Sequence, residues 1–220
     1  MTIEVNKTLL LIVDVQNDFC PGGALAVNDG DKIIGPINSL SKVLTDCGGK
    51  VAAVQDWHPQ NHVSFASTHK NKTPGETIDT NLVKGQTLWP DHCVQGTGGS
   101  EFHKDLDTKP ITWILRKGTN PNLDSYSAFF ENDRKTSTGL EALVKFLGID
   151  TVIIGGLATD YCIFYSAVDA RQLGLKTIVV TDAVAGVNYP EGSVEKSIAT
   201  MKAQGVDFIS SSDLLKNIRT

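Results

Sequence analysis

The sequence predicts an α/β protein with a three-layer αβα architecture, in which helices cover both faces of a six-stranded parallel β-sheet. Short continuous runs of apolar residues recur along the chain, and strands that are buried on both faces have this composition. Most of these runs are separated by segments whose apolar residues have helical spacing. No internal repeat and no long linker rich in Gly, Pro or Ser divides the 220 residues. We therefore predict a single domain over residues 1–220.

Six segments are predicted as strands, because each is a short apolar run of the kind found in parallel sheets. The first run ends in Asp14, the second in Asp56, and the third at Arg116 and Lys117. The sixth run has the weakest pattern. The predicted strands are 8–15, 50–58, 109–118, 150–158, 176–186 and 207–215.

Four helices are predicted from apolar spacing and from residues typical of helix ends. Pro36 falls in the first turn of the first helix, and Pro190 is placed to open the fourth. Gly148 and Gly174 are the expected stops of the second and third helices, and Thr159 is the candidate N-cap of the third. The predicted helices are 32–44, 137–149, 159–175 and 190–206.

Residues 57–109 break the alternation of strands and helices, because this stretch is polar, irregular and rich in His, Gly and Pro. A loop of this length in a compact domain usually has a function or is disordered. We interpret it as an elaborated active-site loop.

Composition excludes several classes of partner. The formal net charge is −5 and no Lys or Arg cluster forms a stripe, which argues against nucleic acid. No apolar run is long enough to span a bilayer, and the N-terminal stretch MTIEVNK lacks the apolar region of a signal peptide. Because the four cysteines show no CxxC spacing, we expect reduced thiols and a cytoplasmic protein. Whether the protein forms a homo-oligomer is left open. The cysteines are Cys20, Cys47, Cys93 and Cys162.

Three reactive side chains are expected at one edge of the sheet, where ligands bind beyond the carboxyl ends of parallel strands. Asp14 ends the first strand, Lys117 ends the third, and Cys162 lies near the start of the helix after the fourth. The helix dipole and a nearby ammonium are expected to lower the pKa of such a thiol, and Asp14 is placed to take its proton. Backbone N–H groups at the helix start are placed to hold an oxyanion. Each residue alone is more often structural, so the prediction depends on their joint placement.

A second candidate site combines one carboxylate with two imidazoles. Asp56 and His58 are two residues apart at a strand end, and His92 belongs to the long loop. This ligand set suits a divalent ion with open positions. The alternative, a polar surface loop, is left open because the DxH pattern alone is weak. The remaining histidines are interpreted as loop residues: His62, His69 and His103.

Aromatic residues lie near both candidate sites. Phe19 and Trp89 are candidates to line a pocket for a flat ring, and Tyr126 is a third candidate substrate-binding residue. Trp57 is interpreted as ordinary packing under the loop. The PGG sequence at residues 21–23 is either a mobile lid turn or a plain turn.

Five stretches of the chain together resemble the isochorismatase-like cysteine hydrolases, in order over residues 8 to about 187. Within that superfamily they resemble the metal-containing nicotinamidases. The motifs that are fairly specific for the superfamily are DVQNDF, the strand-end lysine and ATDYC. The presence of DWH with WPDHC narrows the resemblance to the metal-containing nicotinamidases. The stretches are LLIVDVQNDFCPGGALAV, DWHPQNHVSFAS, LWPDHCVQGTGGSEFH, RKGTNPNLDSYSAFF and GLATDYCIFYSAVDARQLG.

The resemblance implies the isochorismatase-like hydrolase fold and an amidase that converts nicotinamide, with pyrazinamide as a second expected substrate, to the acid and ammonia in NAD salvage. It implies a cis peptide at Leu157–Ala158 and an oxyanion hole formed by the N–H groups of Ala158 and Cys162. The implied roles of the other residues are a triad of Asp14, Lys117 and the nucleophile Cys162, a metal trio of Asp56, His58 and His92, and ring contacts from Phe19 and Trp89.

The resemblance also implies one divalent metal ion that faces the pyridine nitrogen. Zn²⁺ is the first expectation, and Fe²⁺ and Mn²⁺ suit the same ligands. Some members of the family carry a further metal-ligating histidine in the loop. Ser64 stands near that place here, so no fourth ligand is assigned to Ser64 or His62.

Other functions remain as alternatives. A related amidase that acts on a different small amide is the nearest. An isochorismatase-type ether hydrolase would lack Cys162 and the metal trio. A nucleotide-binding module is suggested by Gly155 and Gly156 between a strand and a helix, but GxGxxG is missing. A redox thiol protein would need a resolving cysteine, and no CxxC is present.

Overall fold

The structure, a computed structural model, describes residues 3–218 of the chain. Met1, Thr2, Arg219 and Thr220, which belong to the predicted domain, lie outside the described residues. The strands are β1 (Thr8–Val13), β2 (Lys50–Asp56), β3 (Thr77–Ile78), β4 (Gln86–Thr87), β5 (Trp113–Lys117), β6 (Thr151–Leu157), β7 (Lys176–Ala185) and β8 (Asp207–Ile209). The helices are α1 (Ile34–Asp46), α2 (Leu140–Phe146), α3 (Cys162–Gln172), α4 (Ser193–Ala203) and α5 (Ser211–Ile218).

Six of these strands form one sheet in the order β5-β2-β1-β6-β7-β8, and every neighbouring pair is parallel. The predicted six-stranded parallel sheet is therefore confirmed. β3 and β4 form a separate antiparallel pair in the long loop. In this order β1 lies between β2 and β6, two strands that are far apart in the sequence.

Two apolar cores cover the two faces of the sheet, as the three-layer prediction requires. Leu10 and Ile12 of β1 belong to one core, which also contains buried residues of α1 and α5. Leu9, Leu11 and Val13 face the other way, into a core with α2, α3 and α4. Alternate side chains of a strand point to opposite faces, so a strand buried on both faces is a continuous apolar run.

The sequence prediction of the C-terminal region was wrong in one element. Residues 207–215 were predicted as a strand, but the strand ends at Ile209 and helix α5 starts at Ser211. Leu214 and Ile218, four residues apart, are buried on the α1 side, which is a helical spacing. The N–H of Ser211 donates to Asp182 at 2.7 Å, which satisfies one free donor of the first turn.

Several predicted element ends also differ. Strands β1 and β2 stop at Val13 and Asp56, and β5 starts four residues later than position 109. Pro190 does not open α4, because the helix begins at Ser193; the Tyr189–Pro190 peptide is cis. Thr159 is not the N-cap of α3; its N–H donates to Ala185 O. Pro36, Gly148 and Gly174 are as predicted, and the two glycines have left-handed backbones just after their helices.

No helix within residues 3–218 combines the length and apolar character needed to cross a membrane.

Candidate active site

A fully buried lysine is the centre of the candidate site. Lys117 Nζ lies 2.9 Å from Asp14 Oδ2 and 3.4 Å from Cys162 Sγ, and it donates to the main-chain oxygen of Ser125 at 2.9 Å. It also makes a short contact with Asp56 Oδ1. The structure thus brings together the three predicted reactive side chains, and it adds Asp56 to them.

Sheet order explains this convergence. The strands β5, β2, β1 and β6 are consecutive neighbours, and their carboxyl ends lie at one edge. Asp56 pairs directly with Lys117 across β2 and β5. Asp14 follows β1 with a left-handed φ of 52°, a conformation that is uncommon for a residue other than glycine. Strand β1 therefore ends at Val13, one residue before Asp14, although the N–H of Asp14 still donates to Val54 O.

The cluster perturbs the ionisation of each of its members. Burial raises the pKa of Asp14 to about 7, although Lys117 opposes this shift. Burial also acts to raise the pKa of Asp56, but Lys117 and His58 outweigh it and hold that pKa below its usual range. Burial acts to lower the pKa of Lys117, yet Asp14 and Asp56 raise it well above 10.5. The lysine is therefore a permanent cation between two carboxyl groups.

The predicted low pKa of the Cys162 thiol was wrong. Burial raises this pKa well above 9.0, and the nearby ammonium of Lys117 only opposes the shift. Cys162 is the first residue of α3, whereas the predicted helix starts at Thr159, and the residue is 6% exposed. Ligand atoms of Asp14, Asp56 and Cys162 lie within 4.8 Å of one another. The thiol is thus a protonated group next to a carboxyl that titrates near neutrality.

Two backbone donors are free at the start of α3. The peptide Leu157–Ala158 is cis, as the family resemblance implies. Among residues 3–218, the N–H groups of Ala158 and Cys162 have no backbone or side-chain acceptor, while the N–H groups of Tyr161 and Ile163 both bond to Ala158 O. Free N–H donors next to a thiol are suited to hold a developing oxyanion.

Asp56 also belongs to the predicted metal trio, and the two histidines of that trio lie near its other carboxylate oxygen. Asp56 Oδ2 is 3.5 Å from His58 Nε2 and 3.8 Å from His92 Nε2, and all three side chains are buried. Within the described part of the chain, His58 Nε2 has no hydrogen-bond partner. A buried polar atom without a partner is costly, and an ion is one explanation for it. The three ligand atoms, within 4.8 Å of one another, fit one divalent ion.

Hydrogen bonds orient both imidazoles. His58 Nδ1 pairs with Gly118 O at 2.9 Å and His92 Nδ1 pairs with Pro90 O at 2.7 Å. Donation from Nδ1 leaves Nε2 as a neutral ligand in each ring. Gly118 has a φ of +63°, and a Cβ at this position would lie 2.3 Å from His58 Cε1. The glycine after the lysine is therefore required for the position of the histidine.

The other loop histidines do not complete the metal trio. His62 is fully buried against the ring of His58, but Nδ1 pairs with Ser64 Oγ at 2.7 Å and Nε2 with Leu123 O at 3.2 Å. Its ring nitrogens and the Ser64 hydroxyl are thus already paired with one another or with the main chain. His69 pairs with Val63 O, and His103 lies next to Asp105.

A small cavity opens next to the thiol, and Cys162 is one of the residues that line it. The three predicted aromatic residues all line it, and Trp89 Nε1 donates to Tyr126 Oη at 3.1 Å. Trp57 does not, because its ring packs under Arg116. The lining residues are Phe19, Leu25, Asp56, Trp89, His92, Asp124, Tyr126, Ala158, Tyr161, Cys162 and Val187.

Sequence reasoning missed several residues of the site. Tyr161 stands edge-on to Trp89 at 4.9 Å, and its position beside Cys162 was an available signal. Asp124 and Gln16 lie in stretches that carry the family resemblance, but their roles depend on distant partners and do not follow from local spacing. The side chain of Gln16 pairs with both the N–H and the C=O of Asp56, at 2.9 and 2.8 Å, and so holds that strand end.

Gly155 and Gly156 allow close packing within the sheet and do not form a phosphate loop. Both lie inside β6. A Cβ on Gly156 would lie 2.0 Å from Val13 O, and its φ is +131°. This close approach of β1 and β6 removes the observation that suggested a nucleotide-binding module.

Comparisons with known proteins agree with this geometry. The model of the isochorismatase domain family matches residues 8–213. A curated nicotinamidase from Acinetobacter baylyi is 48% identical over 213 residues, which cover 96% of each chain. A solved structure of an Acinetobacter baumannii nicotinamidase/pyrazinamidase is also 48% identical, with a TM-score of 0.91, and covers 96% of this chain and all of that one.

Two further solved structures contain ligands. PnC1 from L. infantum, in complex with nicotinate, is 34% identical with a TM-score of 0.82 and 96% coverage of both chains. A pyrazinamidase from Pyrococcus horikoshii, in complex with zinc, is 33% identical with a TM-score of 0.76, and covers 93% of this chain and 99% of that one.

Proposed function

The chain belongs to the isochorismatase domain family, as a hydrolase of its nicotinamidase branch, and from that premise we propose that it converts nicotinamide to nicotinate and ammonia through a thioester on Cys162. The observation that carries the proposal is the contact of one buried ammonium, on Lys117, with Asp14, Asp56 and the Cys162 sulfur. The cavity next to this cluster is lined by Phe19, Trp89 and Tyr126, and aromatic side chains of this kind suit a flat ring. We also propose NAD salvage as the role of the reaction.

In the proposed first half-reaction, Asp14 takes the thiol proton and the sulfur attacks the amide carbon. A C–S bond forms, and the carbonyl oxygen becomes an oxyanion that the N–H groups of Ala158 and Cys162 hold. Asp14 then returns the proton to the amide nitrogen, the C–N bond breaks, and ammonia leaves. Lys117 stays charged throughout, because its pKa lies well above 10.5, and it stabilises the thiolate.

In the second half-reaction, water attacks the thioester with Asp14 as its base. The C–S bond breaks, nicotinate is released, and the thiol regains its proton. The two half-reactions use the same carboxyl group in both directions, and its pKa of about 7 suits that exchange near neutral pH.

We propose that Asp56, His58 and His92 hold one divalent ion, with zinc first and Fe²⁺ or Mn²⁺ as alternatives. The bound ion supplies Lewis acidity and an open position for a ring nitrogen. Phe19, Trp89 and Tyr126 orient the ring, since all three line the cavity. The family match over residues 8–213 supports one domain; the cytoplasmic location and any oligomer stay predictions.

The function is tested by ammonia release from nicotinamide, pyrazinamide, benzamide and acetamide, with no NAD and no added thiol. We expect turnover of nicotinamide and pyrazinamide, and slow turnover of benzamide and acetamide, because the cavity is lined for a flat ring and the ligand set favours a ring nitrogen. Turnover of an aliphatic amide in preference to nicotinamide would contradict the proposal and favour a related amidase of the same family.

Removal of the metal ion is expected to act selectively. Chelation, with the metal content determined on the same sample, should remove most of the turnover of nicotinamide, and zinc should restore it. Benzamide has no ring nitrogen, so its slow turnover should fall much less. Full activity on nicotinamide in a sample verified as metal-free would refute a catalytic role for the ion.

A further inference from the structure

Three polar side chains alternate along residues 14–18, next to the site. Asp14 belongs to the lysine cluster, and Gln16 holds the backbone of Asp56. Asp18 is the third member, and the proposed reaction assigns it no role. Its carboxylate points toward the loop that carries the third proposed metal ligand, where it meets the backbone of Cys93.

The carboxylate of Asp18 joins two loops. Oδ2 accepts the N–H of Cys93 at 2.7 Å, and Oδ1 accepts the N–H of Ala24 at 3.2 Å. A Cβ on Gly99 would lie 2.1 Å from Oδ2, so the carboxylate is packed directly against backbone. Hydrogen bonds to a carboxylate are stronger than those to a neutral acceptor, so these contacts restrain the half-buried group.

Cys93 connects the two proposed histidine ligands. It follows His92 in the chain, and its C=O accepts the N–H of His58 at 3.0 Å. Its φ of 47° lies in the left-handed region, which is uncommon for a cysteine. The N–H of this residue is therefore held by Asp18 while its C=O is held by His58. Together with the N–H of Gln95, which donates to His58 O at 2.9 Å, these bonds tie the segment of His92 to His58.

We propose that Asp18 is a positioning residue for the divalent ion: by holding the Cys93 backbone, its carboxylate keeps His92 Nε2 at ligand distance from the other two ligands. Asp18 itself touches neither ion nor substrate. The inference rests on the metal site of the proposed function. Partners that orient metal ligands in this way typically contribute about 10–100-fold to metal affinity or activity.

The test compares Asp18→Ala with Asn17→Ala. Asn17 is a matched control, because its side chain ties the same segment to Gly98 O at 2.7 Å rather than to the backbone of Cys93. Zinc affinity is measured by competition with a chelator, and the Co²⁺ absorption spectrum reports ligand geometry. We expect affinity about 10–100-fold weaker and an altered Co²⁺ spectrum in Asp18→Ala. Asn17→Ala should keep wild-type affinity and the wild-type spectrum.

Asp18→Asn is the conservative variant, since its amide oxygen can still accept the Cys93 N–H. We expect its affinity to lie between those of Asp18→Ala and the wild type, because a neutral acceptor bonds less strongly than a carboxylate, and this loss is the measurement to use if Asp18→Ala does not fold. Wild-type affinity and spectrum in both Asp18 variants would overturn the inference, even if their unfolding temperatures fell, because the role would then be only structural. If the wild type bound no ion, the metal site and this inference would both fail. Turnover of nicotinamide by the wild type reports separately on the proposed function.

Discussion

Replacing Cys162 with alanine should abolish amide hydrolysis. The substitution removes the sulfur that forms the thioester, and loss of a covalent nucleophile costs about four to six orders of magnitude in turnover. The fold and the metal site should remain, because alanine leaves Lys117 with Asp14 and Asp56. Ammonia release measures the activity, and metal content and circular dichroism show that the variant is intact. Asp14→Asn should also be nearly inactive, since the thiol proton then has no acceptor.

The matched control is Cys47→Ala, which removes an exposed thiol at the end of α1. It should turn over nicotinamide at the wild-type rate. A nicotinamide analogue with an aldehyde in place of the amide should form an adduct with the wild type and with Cys47→Ala, and none with Cys162→Ala. Substantial turnover by Cys162→Ala would refute the thioester mechanism.

Replacing Lys117 with methionine should impair both stability and activity. The side chain is fully buried and its ammonium lies between Asp14 and Asp56. Without it, two carboxyl groups remain buried with no cation to offset their desolvation. Removal of one partner from a buried ion pair costs about 3–5 kcal/mol of unfolding free energy. Turnover of nicotinamide should also be lost, because the thiolate would have no nearby cation.

The free energy of unfolding should be measured by urea titration in the presence of a chelator, so that ion binding does not add to it. Lys42→Met is the control: its ion pair with Asp46 is 2.8 Å long, but the two side chains are 73% and 62% exposed. An exposed pair of this kind contributes about 0–1 kcal/mol. Equal stabilities of the two variants would show that the buried ammonium is not what holds the cluster together.

Much of the architecture can be predicted, because the burial of a strand determines the residue types within that strand. Strands covered on both faces are largely apolar, so β1, β6 and the buried parts of β2 and β7 appear as continuous runs. Residues at the ends of such runs meet at one edge whenever the strands are parallel. Asp14, Asp56 and Lys117 can therefore be predicted at this edge without the order of the strands.

Local patterns were less informative where a segment is short or partly exposed. Strand β8 has three residues, none of them fully buried, and the following helix α5 buries only Leu214 and Ile218. With so few buried positions, the period of two and the period of 3.6 are hard to distinguish. The start of α3 was misplaced for a different reason: Thr159 is a good N-cap residue, but its N–H bonds to the neighbouring strand β7.

The sequence by itself determined the layers of this protein, the chemistry at the strand ends and the identity of the candidate ligands, because apolar periodicity and residue type are properties of short stretches. Only the tertiary structure decided how those groups act on one another. The order β5-β2-β1-β6 places Lys117 beside Asp56, and the burial that follows raises the pKa of Cys162 where a helix start alone would lower it. Gln16 and Asp18 hold backbone groups 40 and 75 residues away. Contacts over such distances depend on how the loops pack, and no local pattern in the chain records them.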